Sequence, residues 1–187
     1  MLITTPRLLL RPLNASDLDP IAALNADAEV MRFFPKQMTR EESAAALQRY
    51  RDKTEKHGYS FAAAELRATG EVIGLIGLGY LEMDADFCPC VEVGWRLDRK
   101  FWGKGYAPEG ARAWLDYAFN ELGVGKVVAQ TAIQNTPSIR VMEKLGMQPE
   151  RCFMHPLLED CPRLQRSILY AMERTAYVTR KTPRITT

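Results

Sequence analysis

The sequence predicts a mixed α/β domain, and three observations predict it. Several short segments alternate apolar and polar residues with period two, among them Val91 to Leu97. Others repeat apolar residues at helical spacing, most clearly at positions 107, 111, 114, 115, 118, 119 and 122. The 187 residues are 47% hydrophobic and 26% charged, close to the globular average, which excludes collagen-like, coiled-coil and broadly disordered chains. At roughly 100–200 residues per domain this length fits one domain. A chain of this size buries roughly 70% of its unfolded surface and needs no disulfide or metal staple.

The elements follow in order. Thr4 to Leu13 alternates loosely and predicts a first strand. Asn14 to Asp19 is a capping cluster ahead of Ile21, Leu24 and Val30, so a helix follows. Met31 to Pro35 is an apolar connection that Pro35 ends. Thr39-Arg40-Glu41-Glu42 has the form of a capping box. Its helix presents Ala46, Leu47, Tyr50 and Thr54 on one face, and Gly58 supplies the stop. Tyr59–Leu66 and Glu71–Leu81 predict a strand pair joined across Ala68-Thr69-Gly70. In Val91–Leu97 the apolar Val91, Val93, Trp95 and Leu97 face away from Glu92, Gly94 and Arg96. Gly103-Lys104-Gly105 then opens the strong helix, with Pro108 in its first turn. Lys126–Ile133 predicts another strand. A short helix runs from Thr136-Pro137-Ser138 to Lys144 and ends at Gly146. Apolar segments near 151–154 and 165–172 complete the domain, taken as residues 1–173. Residues 174–187 read as a mobile basic tail.

Several classes of function are excluded. Val72–Leu81, the longest mostly apolar run, is half the length of a membrane span, so no membrane association is expected. The N-terminus lacks the apolar stretch and cleavage site of a signal peptide. Cys88, Cys90, Cys152 and Cys161 form no C-x-x-C pair, which predicts reduced thiols in a cytoplasmic protein and no metal site. Neither the nucleophile elbow G-x-S-x-G nor the NTPase phosphate loop occurs. The net charge of +2 is uneven. Residues 1–173 carry 21 basic against 23 acidic groups, and the tail carries Arg174, Arg180, Lys181 and Arg184 without an acid. Within the domain the basic residues concentrate at Arg96, Arg99, Lys100 and Lys104, which suggests a local clamp rather than a nucleic-acid surface.

The strand–glycine–helix junction at residues 91–110 carries the chemistry. Glycines let a ligand approach the backbone, and the unpaired amides of a helix start attract anions. Val91-Glu92-Val93-Gly94-Trp95-Arg96-Leu97 followed by Trp102-Gly103-Lys104-Gly105-Tyr106-Ala107 resembles the acyl-CoA motif of the GNAT superfamily of N-acyltransferases. The family's R/Q-x-x-G-x-G/A falls on Lys100 to Gly105, with Lys at its first position. Asn135 to Met147 resembles the second motif, N-x-x-S-x-x-V-x-x-K-x-G-F, with Met147 in place of Phe. Thr5-Pro6-Arg7-Leu8-Leu9-Leu10-Arg11 is similar to the T-x-R-L-x-L-R start of the RimJ/RimL branch.

The resemblance implies a mixed, twisted, largely antiparallel sheet, splayed at the acyl-CoA site, with helices on both faces. It implies acetyl-CoA as cosubstrate and an amine acceptor, either a small molecule or a protein N-terminus. The pantetheine arm would pair with the backbone of Trp95, Arg96 and Leu97. The pyrophosphate would lie on the amides of Trp102 to Ala107, with Lys100, Lys104 and Tyr106 in the same cradle. Asn135 would bridge cofactor and strand end, or stand as an ordinary loop residue. Many relatives pair as homodimers.

Acetyl transfer needs a neutral amine, an oxyanion donor and a proton for the leaving thiolate. Glu92 is the candidate base, or simply an outward strand residue. Glu109 suits the first turn of its helix as a structural residue. Many family members carry Tyr where this chain has Met142. Ser138 is the candidate proton donor or else a helix cap, and Tyr170 is the reserve donor. Phe33, Phe34 and His155 would wall the acceptor pocket, with His155 a base, a contact or a structural residue. At pH 7 roughly one α-amine in ten is neutral against one lysine in a few thousand, which favours an α-amine acceptor. A catalytically degenerate acyl-CoA sensor is the alternative reading.

Overall fold

The computed structural model describes residues 1–181. Its elements are β1 (Ile3–Thr4), β2 (Leu8–Arg11), α1 (Leu18–Ala26), α2 (Arg40–His57), β3 (Phe61–Leu66), β4 (Val72–Leu81) and β5 (Cys90–Leu97). There follow α3 (Tyr106–Asn120), β6 (Lys126–Ala132), α4 (Thr136–Leu145), β7 (Gln148–Met154), α5 (Pro162–Gln165), β8 (Arg166–Glu173) and α6 (Arg174–Lys181). Among the described residues the strands form one sheet in the order β1-β2-β3-β4-β5-β6-β8-β7. Every neighbouring pair is antiparallel except β5 and β6.

Helices cover both faces. On one, Val91, Val93 and Leu97 of β5 pack in a core with Trp114, Leu115 and Phe119 of α3 and with Met142 and Leu145 of α4. Trp114, Leu115 and Phe119 are fully buried, each worth about 1.5–3 kcal/mol in apolar burial. On the other, Ile21 and Leu24 of α1 and Leu47 of α2 pack with Ala63 and Leu75. Local signals fix α2 as the sequence predicts. The Thr39 hydroxyl accepts from the Glu42 amide at 3.2 Å, and the Glu42 carboxylate accepts from the Thr39 amide at 2.9 Å.

Four expectations are corrected. Thr4–Leu13 is not one strand but a hairpin of β1 and β2, closed where the Thr5 amide donates to the Leu8 carbonyl at 2.9 Å. The first helix stops at Ala26, and Val30 lies in a separate 3₁₀ turn, Val30–Phe33. The 151–154 segment is not apolar core: it belongs to β7, an exposed outer strand. The domain also runs past residue 173. Arg174–Lys181 forms α6, and Tyr177 is buried with its ring 5.0 Å from Phe119. The rest of the expected tail, including Arg184, lies outside the described residues.

Candidate active site

β5 and β6 pair only at Val91–Val127 and Glu92–Val128. Beyond those positions β5 stays bonded to β4 and β6 to β8, so the two parallel strands part. A cavity of about 610 Å³ occupies the opening. It is lined by Trp95 and Tyr106 toward the α3 face, and by Tyr50, Phe61 and Phe34 toward the α2 face. The sheet is therefore breached, with one mouth on each side.

At the α3 mouth the chain turns through Gly103 (φ +73°) and Gly105 (φ +84°) before the helix begins. Positive φ favours glycine at both positions. The amides of Gly103 through Ala107 lie in the turn and the first residues of α3, where a helix's leading amides have no intrahelical acceptor, so they gather as donors beside the cavity. The Trp102 amide does not join them, because it donates to the Arg99 carbonyl at 3.1 Å. Its indole N–H donates to the Leu97 carbonyl at 2.7 Å and ties the loop to the end of β5.

The N-terminal hairpin locks this loop. Arg7 pairs with Glu109 at 2.6 Å, donates to the Lys104 carbonyl at 2.9 Å and stacks on the Tyr106 ring at 4.4 Å. Glu109 also accepts from the Thr5 hydroxyl at 2.6 Å and the Arg7 amide at 2.9 Å. Burial works against its ionised form, but these donors outweigh it and hold the carboxyl below its usual range. Glu109 is thus structural, as its place in the first helical turn implies.

The basic residues expected to gather at 96–104 do not converge in the structure. Strand alternation turns Arg96 to the α2 side, where it lies 4.8 Å from the Phe34 ring. Arg99 pairs with Asp27 at 3.4 Å, and Lys100 pairs with Asp98 at 3.5 Å, outside the cavity. Lys104 folds over the Phe101 ring. The cations that do reach the cavity beside α3 are Arg140 and Lys144, one turn apart on α4. Sequence reasoning missed them, although the helical spacing of Arg140 and Lys144 was available as a signal.

Glu92 stands at the fork where the strands separate, half-buried. Desolvation raises its carboxyl pKa, while a hydrogen bond from Gln130 and the charge of Lys53 oppose that rise. Gln130, which the sequence reading did not single out, keeps a buried side-chain oxygen without a partner.

Residues 7–148 match the family model described as the acetyltransferase (GNAT) domain. The chain belongs to the GNAT acetyltransferase family. It is 33% identical to the uncharacterised N-acetyltransferase YnaD of Bacillus subtilis, over 82% of this chain and 86% of that one. It is 36% identical to YkkB of the same organism, over 78% and 84%. A GNAT-family acetyltransferase structure from Bacillus anthracis superposes with a TM-score of 0.80 at 27% identity, covering 94% and 99%.

The GNAT cavity holds most of the remaining expected residues. Asn135 is the helix cap: its side chain accepts from the Ser138 amide at 3.3 Å and donates to the Thr131 hydroxyl at 2.7 Å. Ser138 therefore does not cap α4, and it lines the cavity. Met142 is buried at the wall. Phe33, Phe34 and His155 line the α2 side. The His155 Nδ1 accepts from the Leu157 amide at 3.2 Å, so the neutral ring carries its proton on Nε2. Burial lowers its pKa against a backbone hydrogen bond that raises it. Tyr170 is the exception. It is buried under α4 beside Glu143, outside the cavity, with its pKa raised by desolvation and then by that carboxylate. The sequence offered it as the reserve donor, and the structure does not bring it to the cavity with the other expected residues. Among the described residues no group of His, Cys, Asp and Glu is placed to hold a metal, and no helix is long and apolar enough to cross a membrane.

Proposed function

We propose that this protein transfers the acetyl group of acetyl-CoA directly to an amine. The observation that carries the reading is the coincidence of the parted β5–β6 pair with the glycine turn and helix start at Gly103 to Ala107. Open strand edges suit an amide-bearing arm, and the leading amides of α3 with Arg140 and Lys144 suit its phosphates. Bound acetyl-CoA supplies the activated acyl carbon. The amine nitrogen bonds to that carbon, the carbon–sulfur bond breaks, and the proton lost by nitrogen balances the free thiol.

The chain's own residues handle charge and protons. Glu92, raised by desolvation at the fork, takes the amine's proton directly or through water. A backbone amide of the Val93–Leu97 stretch stabilises the oxyanion. The Ser138 hydroxyl, freed from capping by Asn135, donates to the departing sulfur. The thiol's ordinary pKa of about 8.5 means that modest help suffices.

The reading also carries the RimJ/RimL branch, a cytoplasmic location and a homodimer. The branch motif has a physical role here: Thr5 and Arg7 grip Glu109, Leu8 and Leu10 are fully buried, and Arg11 bridges Asp17 and Glu65. Four free thiols suit a reducing compartment. The outer strand β7 and the exposed Met154 and Leu157 suit a second copy.

The test is to incubate the protein with acetyl-CoA and a panel of amines and peptides while measuring free thiol. Acceptor-dependent thiol release with an acetylated amine is expected. Acetyl-CoA binding without such release would sink the enzyme reading.

A further inference from the structure

Arg96 is the feature that acetyl transfer leaves unexplained. Its Nε is buried and has no hydrogen-bond partner. The guanidinium contacts the Met31 sulfur at 3.4 Å, the Phe34 ring and the Tyr50 side chain. Among the described residues it has no ion-pair partner, whereas Arg32 and Arg99 nearby are taken by Glu29 and Asp27. A guanidinium stays charged at any ordinary pH, and this partly buried one is bonded to a thioether and a phenol with no carboxylate paired to it.

Its position gives that charge a use. Arg96 and Glu92 project from the same face of β5, four residues apart, into the α2 mouth of the cavity. That mouth lies opposite the amide cluster. Between the two residues, Gly94 has no side chain, and the Phe61 ring fills its place: an added Cβ would meet that ring at 2.8 Å. One end of this floor offers acceptors, the Glu92 carboxylate and the unpartnered Gln130 oxygen. The other offers the Arg96 guanidinium and the Tyr50 hydroxyl, and the Glu29 carboxylate at its rim is paired with Arg32 at 3.6 Å. Arg163 fixes the overlying loop by donating to the Arg32 carbonyl at 2.7 Å and the Phe34 carbonyl at 2.6 Å.

We infer that the acceptor is an amine that also carries an anion, a carboxylate or a phosphate, which Arg96 binds while the amine faces Glu92 and Gln130. This rests on the acetyltransferase reading above and narrows its substrate class. Polyamines and simple alkylamines are poor acceptors on this account, because they place positive charge or nothing at Arg96.

The test compares amines matched in all but the anion: β-alanine with its amide, phosphoethanolamine with ethanolamine, and a diamine as cationic control. For the wild-type protein, kcat/KM for at least one anionic amine is expected to exceed that of its neutral partner by about 10- to 100-fold. The pair that shows the preference identifies the anion. Arg96→Gln should bring the ratio to within about twofold. A wild-type ratio near one in both pairs, or a preference for the diamine, overturns the inference. Should Arg96→Gln fail to fold, the wild-type ratio still decides. Should no amine be turned over, the acetyltransferase reading fails separately. Calorimetric titration of N-acetyl-β-alanine and phosphoethanolamine against their neutral partners, with CoA present, then reads the anion site alone. Selective binding of an anionic ligand supports it, and no selectivity overturns it.

Discussion

Glu92→Gln separates a base from a bystander, because the same substitution moves two quantities in opposite directions. The carboxyl sits at the β5–β6 fork, packed so closely on β4 that a Cβ added to Gly79 would lie 2.9 Å from Oε1. Glutamine has the same shape and can keep a hydrogen bond with Gln130. Removing a general base costs about 10²–10⁴-fold in turnover. Stability should move the other way. The folded-state pKa lies above the ordinary carboxyl value of 4.5, so ionisation costs stability as pH rises through that window toward neutrality. A neutral amide escapes the cost, and the Glu92→Gln variant should melt higher than wild type at pH 7 and no higher at pH 4. In the wild type, kcat/KM should rise with pH through the raised Glu92 pKa, and that acidic limb should vanish in the variant. A pH–rate series and a pair of thermal melts read both effects. A variant within threefold of wild-type turnover, with the acidic limb intact, would refute the assignment of Glu92 as base.

Other outcomes follow from the loop and its lock. Glu109→Ala removes three charge-assisted hydrogen bonds and should cost about 2–4 kcal/mol in urea unfolding. Because the Glu109 pKa is depressed, the contribution is present above the unfolded carboxyl value and lost as pH falls through the folded one. Wild type and variant should therefore converge in stability at low pH. Gly103→Ala forces a Cβ onto a positive φ, costing about 1–2 kcal/mol. It should also weaken acetyl-CoA binding at least tenfold, and unchanged affinity would place the phosphates elsewhere. Ser138→Ala should lower kcat while leaving acetyl-CoA affinity and melting temperature near wild type. Asn135→Ala, which removes the true cap, should cost about 1 kcal/mol in stability.

Elements whose determinants are local were legible in the sequence. α2 is bounded by Thr39 and Gly58, both of which act within four residues, and its limits match. The apolar stripe of α3 and the alternation of β5 were equally direct. What escaped depends on distant partners. Tyr177 is buried against Phe119 and bonds to the Arg112 carbonyl of α3, which nothing in a basic C-terminal segment announces. The Thr4–Leu13 hairpin is tied down by Glu109, about a hundred residues away.

The site divides in the same way. Glycines that demand positive φ at Gly103 and Gly105 were readable, and so was Glu92 out of phase with the apolar face. The charges were not. Arg96, Arg99, Lys100 and Lys104 are close in sequence, but a strand and a 3₁₀ turn send them to four different surroundings. Proximity along the chain predicted a clamp, and the four side chains do not converge. The sequence pointed to Ser138 as a proton donor or the cap and to Asn135 as a bridge or loop residue, and the geometry makes Asn135 the cap.

The most direct test is an amide-resonance titration of isotopically labelled protein with CoA. The amides of Gly103, Lys104, Gly105, Tyr106 and Ala107 and the open edge of β5 should shift together, with the resonances around Lys100 little changed. Saturable CoA binding that leaves those five amides unmoved, and shifts residues elsewhere, would contradict the placement of the acyl donor in the parted strands.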